Sequence, residues 1–204
     1  MKTSKRSNTR RLVMLAMLSA ILLVMSYTPL GYLNIGPLAI SLNMIPVAIG
    51  AVALGPSAGA FLGCVFGVTS CLQCMGIGGT SAMGVILFEI SPILTIIQRL
   101  LPRVLAGLLA GYIYMGTKKL TNKMVAFFVT GFSAALLNTV LFMVALVLLF
   151  GNTEYLQSLM AGRNVIVFIC AFVGINAVVE MLASTLAVGV VCKALEKTKI
   201  LGGN

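Results

Sequence analysis

The chain has 204 residues, 60% of them apolar and 9% charged, and a mean hydropathy of +1.11. A soluble domain carries about a quarter charged residues, so a soluble enzyme, a disordered tail and a secreted disulfide scaffold are excluded, leaving an integral membrane protein. Fourteen Lys/Arg against four acids give a net charge of +10, and the basic residues fall in short clusters between apolar runs, as membrane topology rather than nucleic-acid binding requires.

A transmembrane helix needs ~20 largely apolar residues. By that criterion the predicted spans are 12–28, 38–54, 56–75, 92–116, 122–150 and 164–192. The fold class is therefore an all-α integral membrane protein, a compact bundle of six transmembrane helices with no internal repeat. Residues 1–11 form a basic cytoplasmic segment, 12–196 the six-helix domain and 197–204 a cytoplasmic tail. The first run, behind KTSKRSNTRR, also has the look of a signal peptide. Ser26-Tyr27-Thr28-Pro29 offers no small-residue cleavage site, so the run is expected to stay. Gly55-Pro56 is a tight turn that makes the second and third spans antiparallel neighbours. Residues 76–91 read as an ordered surface loop or re-entrant piece, and 151–163 as the other sizeable loop.

An even number of spans puts both ends on one side. That side holds Lys2, Lys5, Arg6, Arg10 and Arg11, then Lys118, Lys119 and Lys123, then Lys193, Lys197 and Lys199, while the opposite side holds no lysine. The positive-inside rule sets both termini in the cytoplasm.

Arg99, Arg103 and Arg163 remain. An ionisable group within a span is costly and faces a cavity or a partner. Counting ~1.5 Å per residue from the Lys-rich ends places Asn43, Gln73, Arg99, Arg103, Asn138, Asn176 and Glu180 between ~18 and ~26 Å. That is the outer half of a core ~30 Å thick. Arg99/Arg103 and Asn176/Glu180 are i,i+4 pairs, each on one helix face. Such a layer has the makings of a substrate pocket open to the outside. The plainer alternative is mutual satisfaction, with Arg103 and Glu180 as an ion pair and the amides bridging helices. Two arginines exceed what one glutamate neutralises, which favours a small anion held by guanidinium.

Gly59, Gly63 and Gly67, and Gly107 with Gly111, recur every four residues, a spacing that lets helix backbones approach closely in lipid. The cytoplasmic half is thus expected to be tightly packed and no pore runs through it. Ala16 and Ala20 in the first span form an AxxxA, either an internal packing face or a docking face for another membrane subunit. Of Cys64, Cys71, Cys74, Cys170 and Cys192, only Cys71 and Cys74 form a CxxC. Packing, a redox pair and half a metal site are its readings. Histidine is absent, so neither a zinc set nor a serine-hydrolase triad is expected, and no metal or cofactor is assigned. No GxxxxGK(S/T) loop is present, so ATP hydrolysis would belong to another chain.

With those residues placed, the chain resembles the substrate-binding S components of energy-coupling factor (ECF) vitamin transporters, most of all the pantothenate-type branch. The resemblance rests on Ala16/Ala20, on IPVAIGAVALGPSAGAFLG at 45–63, on LPRVLAGLLAGYIY at 101–114 and on ALLNTVLF at 135–142. It implies a transport subunit, not an enzyme, in the plasma membrane of a prokaryote. Such a subunit captures a vitamin from outside and docks through its first helix on a coupling transmembrane subunit carrying two ATPase subunits. ATP-driven toppling then turns the pocket inward. Loops 30–37 and 76–91 would be lids. Pantothenate or another small carboxylate vitamin suits the surplus arginines. Two other classes stand beside this one: a membrane thiol-disulfide oxidoreductase using Cys71 and Cys74, and a standalone proton-coupled carrier working through Glu180. The absence of a repeat weighs against the carrier.

Overall fold

The computed structural model describes residues 2–29, 31–34, 39–78, 81–160, 162 and 164–198, without the side chains of 2–7, 32–40, 165, 166, 168–173 and 175. In chain order it runs α1 (Lys2–Ser26), β1 (Tyr32–Asn34), β2 (Ala39–Ser41), α2 (Met44–Leu54), α3 (Pro56–Cys74), α4 (Ala82–Ile90), α5 (Pro92–Leu120), α6 (Lys123–Phe150), α7 (Glu154–Met160) and α8 (Val165–Lys197). The fold is overwhelmingly helical, but β1 and β2 pair as a short antiparallel ribbon with Leu33 opposite Ile40. Stretches within five of the helices, Asn8–Ser26, Pro56–Cys74, Pro92–Leu120, Lys123–Phe150 and Asn176–Lys197, are long and apolar enough to cross a membrane.

The stretch 38–54 departs from expectation. A strand and turn fill its first part, and the helix is only 11 residues long, ~16 Å at 1.5 Å per residue. Pro46 supplies the reason. In the first turn its missing N–H is harmless, but inside a helix begun at residue 38 it would cost ~3 kcal/mol. The two presumed loops also contain helices. Ser81 Oγ accepts the Gly84 N–H at 3.3 Å and starts α4; extended Ser91, held out of the helical region by Pro92, ends it. Thr153 Oγ1 accepts the Leu156 N–H at 3.4 Å and starts α7.

The most extensive helix pairing is α3 against α5. Gly59 and Gly107 face each other so closely that a Cβ on either would overlap the other's carbonyl oxygen. Gly63 stands in the same way against the Arg103 carbonyl, and Gly67 against Leu100. The close seam therefore climbs beyond the basic half, to the level of both arginines. At the Lys-rich end, Arg11 donates to Ser57 Oγ at 2.9 Å and Lys123 pairs with Glu196 at 3.1 Å. Two apolar clusters hold the rest. One joins Leu22, Val47, Phe66, Ala106, Phe127 and Val188 from six helices; the other pins α4 and α7 to α6 through Leu87, Leu146, Phe150 and Leu156.

Gly59→Val should overpack this seam at a cost of about 1–3 kcal/mol or more. Each kcal/mol corresponds to ~2–4 °C of melting temperature in a chain of this size. Gly116, whose Cβ would meet nothing within 4 Å, supplies the contrast: Gly116→Ala should leave melting in detergent unchanged or raise it. Equal melting of the two variants would refute the seam as the main constraint.

Candidate functional site

The buried stripe of α5 runs Thr95, Gln98, Arg99, Pro102, Arg103, Ala106 and Gly107. Pro102 has no N–H for the Gln98 carbonyl and so interrupts the helix ladder between the two arginines. Helical side chains lean toward the N-terminus, and Arg103 Nη1 accordingly donates back to the Arg99 carbonyl. Both guanidinium groups reach the same ring, Phe142. The Arg103 guanidinium lies 4.4 Å from the centre of the Phe66 ring and 5.6 Å from that of Phe142, while Arg99 lies 5.2 Å from Phe142. Aromatic faces stabilise cations without neutralising them, so the site keeps its positive charge.

Arg99 is 6% and Arg103 5% exposed, which makes the balancing carboxylates easy to find. Of the four acids, Glu89 and Glu154 are exposed and Glu196 pairs with Lys123; only Glu180 is buried. Asn138 Nδ2 donates to Glu180 Oε1 at 3.4 Å, and the backbone N–H of Ser41, at the end of β2, also bonds that carboxylate. Arg103 is near enough for its charge to act on Glu180. Arg99, Arg103, Asn138 and Glu180 therefore form one electrostatic neighbourhood across α5, α6 and α8. Asn176 is half-buried one turn before Glu180 on α8.

The other expected residues divide. Asn43, directly before α2, is fully buried, and neither Nδ2 nor Oδ1 has a hydrogen-bond partner. Gln73 serves a structural bond: its Nε2 donates to the Ser26 carbonyl at 2.6 Å and satisfies a C-terminal carbonyl of α1. Ser26 Oγ and Thr69 Oγ1, 3.3 Å apart, add a second stitch between α1 and α3. Arg163 lies outside the described residues, as do parts of loop 30–37. Cys64, Cys71, Cys74 and Cys192 are free thiols. Cys74 is buried and its S–H donates to the Ser70 carbonyl at 3.2 Å, an ordinary helical packing arrangement. The Cys170 side chain is outside the described residues.

Sequence reasoning passed over Gln98, which is fully buried with both carboxamide atoms unpartnered. Its position beside Arg99 inside a span was the available signal, by the same rule that selected the arginines. Phe66 and Phe142 gave none, because helix-to-helix register is not written in one helix's pattern. Ser81 Oγ, which receives Arg99 Nη2 at 3.4 Å, belonged to a segment read as loop.

A separate feature lies along α1. Val13, Met17 and Ile21 line a lateral apolar groove of about 600 Å³ with Ile45 and Ile49 of α2 and Val191 of α8. Ala16 and Ala20 are exposed on the same helix, so neither packs inside the chain.

Residues 10–192 match the family described as "ECF transporter, substrate-specific component". The chain is also 26% identical over 206 residues to the pantothenic acid transporter PanT of Lactococcus lactis subsp. cremoris, an alignment spanning 96% of this chain and 98% of that one. A match over nearly the whole helical bundle shows the family: the chain belongs to the substrate-specific components of ECF transporters, multi-pass plasma-membrane subunits that bind a vitamin for uptake and associate with ECF membrane and ATPase components.

Proposed function

We propose that this chain captures pantothenate at the outer face of the membrane, with both termini in the cytoplasm and α2 serving with the five long helices as a sixth, short span. The observation that carries the reading is the pair of buried guanidinium groups beside a single buried carboxylate. A carboxylate ligand supplies the missing charge, and guanidinium holds carboxylate through two parallel bonds. Pantothenate also presents an amide and two hydroxyls, which suit the unpartnered carboxamides of Asn43 and Gln98 and the free Oδ1 of Asn138. Asn176 and Glu180 would complete the wall, with Gln73 holding α1 against α3. The relative's printed name points to the same vitamin. Loops 30–37 and 76–91, the latter containing α4, would close over the ligand.

Calorimetry on detergent-purified protein tests the assignment against a panel of other water-soluble vitamins. One-to-one binding of pantothenate without ATP is expected. Arg99→Ala should weaken it about 10–100-fold, the value of a charge-assisted bond, and Arg99→Lys should not restore it because an ammonium lacks the planar fork. Wild-type affinity in Arg99→Ala, or tighter binding of an uncharged vitamin, would remove the assignment.

Docking through α1 onto one coupling transmembrane subunit, itself joined to two ATPase subunits, is the second part of the proposal. The exposure of Ala16 and Ala20 supports it, since small residues allow a partner helix to approach closely. A16L/A20L is expected to retain vitamin binding while losing co-purification with the coupling module and vitamin uptake by cells. Uptake at the wild-type rate would show that another face docks.

A further inference from the structure

The connection between α1 and α2 carries buried polar atoms that the fold leaves unused, and they fall around one residue. Gly31 is buried there, donating its N–H to the Thr28 carbonyl at 3.2 Å and accepting the Leu42 N–H at 3.0 Å. The second bond closes the foot of the ribbon, next to the Tyr32–Ser41 pair. A Cβ at Gly31 would come within 2.9 Å of Asn43 Oδ1. Thr28, Ser41 and Asn43 therefore flank this foot. Thr28 Oγ1, Ser41 Oγ and both carboxamide atoms of Asn43 are buried without a hydrogen-bond partner.

Asparagine directly before a helix ordinarily caps it, yet Asn43 makes no side-chain bond to α2. Buried groups in this condition lower stability until something completes them. The foot also adjoins the charged cluster. Bonded and non-bonded pairs alternate along an antiparallel ladder. Leu42 bonds to Gly31, so the Ser41 N–H points away from β1, where β2 packs on α8 and the Glu180 carboxylate accepts it. Arg103 is near enough to act on the same carboxylate.

The unused atoms select the group that completes them. Asn43 Nδ2 only donates and Oδ1 only accepts; a carboxylate suits the first, an ammonium the second, and a hydroxyl both. We infer that the hydroxylated end of the substrate is read at the ribbon foot by Thr28, Ser41 and Asn43, while its acidic end lies on the arginines. Gln98 and Asn138 are then left for the amide between the two ends. The inference rests on the reading of this chain as a pantothenate capture subunit and adds the direction in which the vitamin lies. The three foot residues determine specificity, because a ligand of the same outline without hydroxyls would leave their polar atoms buried and unpaired.

The test compares pantothenate with its dideoxy analogue, which keeps the amide and the carboxylate but lacks both hydroxyls, by calorimetry on detergent-purified protein. Wild type should prefer pantothenate by about 100-fold or more. The double variant Thr28→Val, Ser41→Ala removes two side-chain hydroxyls and keeps the Ser41 N–H. It should weaken pantothenate about tenfold or more and leave the analogue within about twofold. Melting of the ligand-free protein should hold or rise, because no bond within the protein is lost. Asn43→Leu should act in the same way; if it fails to fold, the double variant decides alone. A merely structural role for these residues predicts the reverse, lower melting and equal loss of both ligands, and that result overturns the subsite. Wild-type affinity for pantothenate in the double variant overturns it as well. Equal affinity of wild type for both ligands also overturns the subsite and leaves the capture reading standing. A wild type that binds neither removes the capture reading and this inference with it.

Discussion

The glycine seam between α3 and α5 is the constraint on which the site depends. Where Gly59 meets Gly107 and Gly63 meets the Arg103 carbonyl, the two backbones are in direct contact. At that separation no room remains between the helices for long side chains. Arg99 and Arg103 must therefore leave the seam sideways, and they do so toward Phe142 on α6, with Arg103 also over Phe66. Close packing thus keeps two charges available in an interior that would otherwise hide them.

Availability has an electrostatic cost, and the fold meets only part of it. Phe66 and Phe142 offer their ring faces, the Arg99 carbonyl and Ser81 Oγ accept bonds, and Glu180 supplies one negative charge that Asn138 and Ser41 orient. Buried polar groups without partners destabilise a fold by about 1–3 kcal/mol each. Asn43 and Gln98 are left in that condition among the described residues. Structures retain such groups where a ligand or ordered water completes them. Asn43 lies just after the ribbon and Gln98 directly before Arg99.

The architecture was legible to different degrees, and each shortfall has a physical cause. Long runs such as 122–150 and 92–116 declared their helices through hydropathy alone, and the Lys-rich ends declared a common face. The cost of placing a polar group in a span singles out seven residues, and the same rule applies to Gln98. The stretch 38–54 was misread because hydropathy is blind to backbone chemistry, whereas Pro46 fixes where a helix can begin. α4 was missed although Ser81 and Ser91-Pro92 bracket it with a cap and a stop, because nine residues are too few for a hydropathy window tuned to ~20. Gln73 shows a different limit of the sequence. Depth places it with the other candidate residues, and only three-dimensional contact reveals that its Nε2 donates to the Ser26 carbonyl.

The buried charged cluster and the exposed face of α1 occupy different parts of one helix bundle, and this division has a mechanical logic. The charged cluster is built on α5, α6 and α8, the helices that the seam and the apolar core immobilise. α1 is the least embedded of the long helices, with Leu12, Met17 and Val24 exposed beside Ala16 and Ala20. A partner helix approaching that face would touch none of Arg99, Arg103, Asn138 or Glu180. The two regions are nevertheless joined, because Gln73 and Thr69 tie the end of α1 to α3, and α3 continues to the Cys74–Gly84–Arg99 contact. A force applied to α1 by a partner would therefore reach the first turn of α4 through α3 as a rigid lever. The exposed face of α1 is thereby linked to α4 through hydrogen bonds to α3 and a packing contact at Cys74.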